Sequence, residues 1–185
     1  MAPSWPVIRS ETVFDLGLFR VRRDRARSPR NGAEGDFYVI DMADWLQVIP
    51  QTADGRLVMV RQYRFGSRAT SLEFPGGLLD PADDGPAAGA ERELLEETGY
   101  GGGSMTPLGS LWAQPALMSV RIHLFLMREA REMTRPRPDV LEDLEIVLVE
   151  PAELGRLIAA GEVDNAITVA AFGSALAAGH VANSQ

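Results

Sequence analysis

The chain contains no cysteine among its 185 residues, so no disulfide framework, no thiolate nucleophile and no sulfur-ligated zinc can be part of it. Histidine is nearly as scarce: His123 and His180 are too few for a histidine-built metal centre, which leaves oxygen donors as the only ligands in quantity. Basic charge is also in deficit. The net charge of -8 speaks against a broad footprint on nucleic acid, since phosphate-backbone binding relies on clustered cations. What positive charge there is resides on arginine, which suits bidentate recognition of phosphate or carboxylate. No run approaches the roughly 20 apolar residues of a membrane-spanning helix, and the first residues show no basic stretch followed by an apolar one. The expectation is a cytoplasmic protein with neither a membrane nor a nucleic-acid partner.

Hydrophobic residues make up 45% of the chain, enough for one domain, or one domain with a small appendage, built on a real core. Residues 18–27 alternate apolar and charged side chains, residues 37–42 form a short apolar run, and Asn31-Gly32 marks a turn between them, which predicts an N-terminal antiparallel hairpin. Residues 46–52 and 56–64, separated by Asp54-Gly55, predict a second hairpin. Residues 120–127 and 144–149 read as further strands, and 151–160 and 164–178 as helices closed by Gly161 and Gly179. Strands interleaved with few helices predict an α+β fold with a mixed sheet covered by helices. The expected organisation is an N-terminal β-hairpin region over 1–44 and a main domain over 45–185.

Chemistry concentrates in residues 73–100. Glu73-Phe74-Pro75-Gly76-Gly77 leads into a loop rich in Asp, Pro and Gly, and a helix is predicted from Pro86 to Thr98, capped by Asp84 or Gly85 and stopped by Gly99. On that helix Glu93, Glu96 and Glu97 stand at i, i+3 and i+4, so the three carboxylates share one face. Like charges so placed repel unless a cation lies among them, and hard oxygen donors select Mg²⁺ or Mn²⁺. A solvated acidic face is the plain alternative for the helix alone. The two preceding glycines favour the metal reading, because their backbone can approach a phosphate or a metal closely.

Arg92-Glu93-Leu94-Leu95-Glu96-Glu97-Thr98-Gly99, with Tyr100 following, resembles the second half of the Nudix box, G-x5-E-x7-R-E-U-x-E-E-x-G-U with U apolar. The first half departs from it. Counting back from Arg92 puts the box Glu at Asp84 and the box Gly at Leu78, one residue past Gly77, as if one residue were inserted within 78–83. Either Asp83 or Asp84 is then the box acid. Val60-Arg61-Gln62-Tyr63-Arg64, with Leu72 to Gly77 after it, is similar to the branch of Nudix hydrolases that cleaves ADP-ribose and other nucleoside diphosphate sugars.

The resemblance implies a Nudix α/β/α sandwich with an added N-terminal antiparallel sheet, and Mg²⁺-dependent (or Mn²⁺-dependent) cleavage to a nucleoside monophosphate and a sugar phosphate. It implies Glu93, Glu96, Glu97 and the Gly77 carbonyl as metal ligands, with Arg92 holding the glutamates in place. Arg64, Arg61, Trp45 and Glu73 are the implied substrate-binding residues, Arg64 being favoured over Arg61 because the two point differently on one strand and Arg64 sits nearer the glycines. The base in such enzymes often comes from an acidic loop, here residues 139–145; Val140 stands where a glutamate is usual, which leaves Glu142, backed by Asp139 and Glu145, as the candidate. Phe37 and Tyr38 are possible base-stacking residues beside Trp45, and His123 is read as structural. The N-terminal region is expected to serve base recognition and homodimerisation. Alternative readings are a Nudix enzyme for nucleoside triphosphates or dinucleoside polyphosphates, and a non-catalytic sensor of ADP-ribose.

Overall fold

A computed structural model describes residues 3–181. Contacts group the chain into two compact units, one of residues 1–44 and 112–121, the other of 45–111 and 122–185.

The first unit is a three-stranded antiparallel sheet of β1 (Val7–Asp15), β2 (Phe19–Arg27) and β3 (Glu34–Met42), with β2 in the middle. The expected hairpin is β2–β3, in continuous register from Phe19 opposite Met42 to Arg27 opposite Glu34. β1 had no sequence signal because all but one of its residues are exposed, and a strand with water on both faces has no reason to alternate. Two corrections to the expected boundaries follow: the hairpin is a three-stranded sheet, and residues 112–121 belong with it. Ile40 N–H donates to Leu117 O at 2.8 Å, and Ser119 N–H donates to Ile40 O at 3.0 Å.

The second unit is built on a seven-stranded mixed sheet. β10 (Glu145–Val149), β5 (Leu57–Arg64), β4 (Trp45–Thr52), β9 (Arg121–Glu132) and β7 (Tyr100–Gly101) lie in that order; β6 (Ala69–Glu73) pairs with β5, and β8 (Ser104–Trp112) with β9. β4 and β9 run parallel, while the β4–β5 hairpin turns at Asp54-Gly55 as expected. The period of two along a strand divides the core in two. Leu46, Val48, Val58, Phe125 and Met127 pack with Ala90 and Leu94 of α1 (Pro86–Thr98). The alternate residues Ile49, Leu57, Met59, Leu124 and Leu126 pack with Leu154 of α2 (Pro151–Ala159) and with Ala171 and Phe172 of α3 (Ala166–Ala177). This is the expected mixed sheet between helical layers. No helix among the described residues is long and apolar enough to cross a membrane.

Candidate active site

Helix α1 begins at Pro86, which needs no N–H partner at the first helical position, and ends where Gly99 takes a left-handed φ of 73° and returns its N–H to Leu95 O. The apolar stripe of Ala90 and Leu94 fixes its rotation against β4 and β5. That rotation grades the three glutamates by depth: Glu96 is half exposed, Glu93 largely covered, and Glu97 only 4% exposed. Burial pushes the Glu97 carboxyl up to about 8, helped by the nearby charges of Glu93 and Glu142 and opposed by the hydrogen bond from Gly76 N–H. Glu93 is raised for the same leading reason, desolvation.

The segment Phe74 to Gly77 lies along β4: Val48 N–H donates to Pro75 O at 3.0 Å and Leu46 N–H to Gly77 O at 2.8 Å. Gly76 N–H donates to Glu97 Oε2 at 3.1 Å. A Cβ on Gly77 would stand 2.5 Å from Glu93 Oε1, and one on Gly76 would stand 2.1 Å from Leu46 O. Close approach to backbone restricts position 76 to glycine, whereas at position 77 the Cβ would meet the movable end of a carboxylate side chain.

Arg92 organises the helix face. Its Nε and Nη2 each donate to Asp83 at 2.9 Å, and its Nη1 donates to Glu93 at 2.9 Å and Glu96 at 3.0 Å. The Arg92 guanidinium holds the Asp83 carboxyl down at about 2. This decides between the two aspartates: Asp83 faces Arg92, and Gly77-x5-Asp83 has the ordinary spacing. The extra residue follows Asp83 instead of lying within 78–83, where Gly85 with φ 86° turns the chain into the helix. Asp83→Asn is accordingly expected to lower kcat/KM about ten-fold or more, as losses of orienting partners do, while Asp84→Asn changes it less than two-fold. Steady-state kinetics on the two variants checks this.

Beside the helix lies a cavity of about 560 Å³ whose wall includes Trp45, Arg64, Glu73, Gly77 and all of Arg92, Glu93, Glu96 and Glu97. Glu142 and Asp139 complete it. Glu142 Oε2 accepts from Asp139 N–H at 3.1 Å, so the acidic loop is folded on itself, with Val140 fully exposed at its tip. Glu73 is buried, and both its oxygens accept from Arg64, at 3.0 and 2.7 Å; it thus presents the Arg64 guanidinium to the cavity, not its own carboxylate. Arg61 is not brought in. It points to the other side of β5 and pairs with Glu145 on β10 at 2.6 Å, which also commits Glu145 elsewhere. His123 lies within β9 opposite Leu46 and is not a wall residue. Phe37 and Tyr38 are half exposed on β3 of the first unit, where Phe37 meets Trp5 edge-on at 5.5 Å.

Sequence reasoning missed Gln47, Phe65 and the start of α3, where Asn165 caps the helix and Ile167 reaches the cavity. Asn165 could have been found as a helix cap, but nothing local connects it to a glutamate about seventy positions earlier.

The donor chemistry suits a hard divalent cation: three carboxylates on one helix face, two of them kept from ionising freely by burial, beside a backbone carbonyl at Gly77. Among the described residues no three carboxylates close on one point; Arg92 donates to Glu93 and Glu96, and Gly76 N–H to Glu97. Rotation about glutamate side-chain bonds is what a cation would require.

The sequence profile of the NUDIX domain matches residues 46–172. The chain is 31% identical over 164 residues to an ADP-ribose pyrophosphatase of Mycobacterium tuberculosis, covering 88% of this chain and 79% of that one. It is 29% identical over 166 residues to an ADP-ribose pyrophosphatase of Bacillus subtilis, covering 89% of each. Among solved structures, a crystal structure of an ADP compounds hydrolase superposes with a TM-score of 0.83 at 23% identity, covering 98% of this chain and 99% of that one.

Proposed function

The chain belongs to the NUDIX family, and from that premise we propose that it hydrolyses the pyrophosphate bond of ADP-ribose or a related nucleoside diphosphate sugar, giving a nucleoside monophosphate and a sugar phosphate. The observation that carries this is the convergence in one cavity of the graded glutamates Glu93, Glu96 and Glu97 with the cation Arg64. Glu93, Glu96, Glu97 and the Gly77 carbonyl are the oxygen donors for Mg²⁺ or Mn²⁺, which when bound draws charge from the phosphate oxygens. Arg92 keeps the glutamates in register and does not touch substrate. Arg64, held in a fork by Glu73, faces the pyrophosphate as a bidentate partner. Water attacks one phosphorus, the bridging P–O bond breaks, and the leaving phosphate keeps the electron pair. Glu142, an exposed carboxylate on the acidic loop of the cavity, takes the water's proton. Trp45, more than a third exposed at the rim, offers a ring face to the base or the sugar.

Incubation with ADP-ribose, GDP-mannose, ADP-glucose and UDP-glucose in Mg²⁺ tests the reading; formation of a nucleoside monophosphate from at least one supports it, and none from any rejects it.

The buried carboxyl gives a pH prediction. A carboxyl raised from 4.5 to about 8 contributes stability that is complete below the lower value and is lost as pH rises through the higher one. In the absence of divalent cations the unfolding free energy should fall between pH 5 and 8, by on the order of a few kcal/mol at most, and the melting temperature with it. Mg²⁺ should reduce that fall, because it favours the ionised glutamates. Scanning calorimetry with and without Mg²⁺ is the check.

The same proposal extends to assembly and place. The first unit exposes Val7, Ile8, Val13 and Phe14 on one nine-residue strand, a surface suited to a second copy of this chain, so we assign a homodimer through the N-terminal sheet, with Phe37 and Tyr38 serving base recognition. The cytoplasm is the proposed compartment. Sedimentation at micromolar concentration should report twice the monomer mass; a monomer would reject the dimer.

A further inference from the structure

Phe65 is the most exposed aromatic side chain among the described residues, at 87%, and it stands on the wall of the cavity beside Arg64. A phenylalanine left in water forgoes the free energy of burial, and one such ring on a surface means little by itself. Here the backbone is built to hold it out. Phe65 opens the four-residue turn that joins β5 to β6, whose last pair is Arg64 opposite Ala69. Arg64 O accepts from Arg68 N–H at 2.8 Å and from Ser67 Oγ at 3.3 Å. Arg68 takes a left-handed φ of 55° in closing the turn, a conformation that is costly for a residue with a side chain. The ring of Tyr63 meets Phe65 edge-on, with centroids 5.3 Å apart and planes at 86°. Such a contact steadies a ring while using at most one of its two faces. Trp45 is a second exposed aromatic on the same wall, and Ile167 adds apolar surface from α3. The cavity thus joins two chemistries, the carboxylates of Glu93, Glu96, Glu97 and Glu142 and an aromatic surface at Phe65, next in the chain to the cation Arg64.

We infer that Phe65 is a stacking platform for the nucleobase of the substrate. A ring of carbon alone has no hydrogen bond to offer, so it cannot read the edge of a base; it offers a π-face, and every base has one. A base is joined to its phosphate through a single sugar, so a nucleotide whose phosphate meets Arg64 keeps its base close to the residue that follows Arg64. The phosphates and the cation they share gain nothing from an apolar ring. The platform therefore adds affinity for the nucleoside half without choosing among bases. A base has two faces, and Phe65 takes one of them. This rests on the nucleoside diphosphate sugar reading above.

The test measures competitive inhibition of cleavage, in Mg²⁺, by the nucleoside monophosphate product (AMP when ADP-ribose is the substrate) and by ribose 5-phosphate, which lacks a base. The proteins are wild type, Phe65→Ala, Phe65→Leu and Phe65→Trp, and because the side chain is exposed these changes spare the core. Alanine and leucine should each raise the inhibition constant of the monophosphate about ten-fold, the size of one stack between a base and an aromatic ring, and tryptophan should restore it. Leucine separates a π-face from mere apolar bulk. Ribose 5-phosphate should inhibit all four proteins alike. Wild-type inhibition by the monophosphate in the alanine and leucine variants, a tryptophan variant no better than the leucine one, or a parallel loss for ribose 5-phosphate overturns the platform while leaving the pyrophosphatase reading intact. Cleavage of no nucleoside diphosphate sugar by wild type overturns both.

Discussion

Replacing Glu97 by glutamine is expected to lower kcat about a thousand-fold or more while raising the melting temperature of the metal-free protein at pH 8. The two effects have opposite signs for one physical reason. Glu97 sits deep against Ala90 and Leu94, nearly out of water, and ionising it there costs the fold free energy. A neutral amide of the same shape avoids that cost and can still accept from Gly76 N–H. The charge that destabilises the metal-free protein is what a divalent cation needs, and losing a metal-binding carboxylate of a phosphoryl-transfer site costs about three powers of ten, at the upper end for a single electrostatic partner. Single-turnover kinetics and calorimetry on the same preparation measure both. A variant that keeps wild-type turnover would remove Glu97 from the site, and one that melts earlier at pH 8 would refute its description as a strained carboxylate.

The two loop glycines should separate fold from function. In Gly76→Ala the new Cβ meets Leu46 O at 2.1 Å, against backbone at the start of β4, and the chain can yield only by pulling the loop off β4. The expected loss is about 3 kcal/mol or more of stability, at the upper end for overpacking. In Gly77→Ala the Cβ meets the Glu93 carboxylate at 2.5 Å, the far end of a flexible side chain that can swing aside. The fold should survive with a change near 1 kcal/mol, whereas displacing Glu93 by about 1 Å should cost about a hundred-fold in kcat/KM. Urea titration and kinetics distinguish the two; equal behaviour of the variants would contradict the loop geometry described here.

Legibility in the sequence followed the range of the forces involved. Helix α1 was readable to the residue, because Pro86 and Gly99 bound it through local backbone chemistry. The β2–β3 and β4–β5 hairpins were readable for the same reason, through Asn31-Gly32 and Asp54-Gly55. β1 and β6 were not: the first is exposed on both faces, and the second is five residues long with a single fully buried member, so neither shows a period. At the site, the face shared by Glu93, Glu96 and Glu97 follows from helical spacing alone; strand alternation separated Arg61 from Arg64, and nearness to the glycines favoured Arg64. The box acid could not be fixed by counting, because the extra residue changes the count without saying on which side of Asp83 it lies; the fork between Arg92 and Asp83 is a tertiary contact. Gln47 and Thr168 meet only because β4 and α3 are packed together, 121 positions apart in the chain. Glu73 was a substrate contact only by what the resemblance implies, and it is the structure that shows its buried carboxylate paired with Arg64.

The most direct test of the central claim is the fate of ADP-ribose in Mg²⁺ and water enriched in heavy oxygen. The account predicts AMP and ribose phosphate in equal amounts, one heavy oxygen per pair of products, no inorganic phosphate, and loss of the reaction when the metal is chelated. ADP-ribose and the other nucleoside diphosphate sugars left intact, or inorganic phosphate released in place of the two monophosphates, would contradict it.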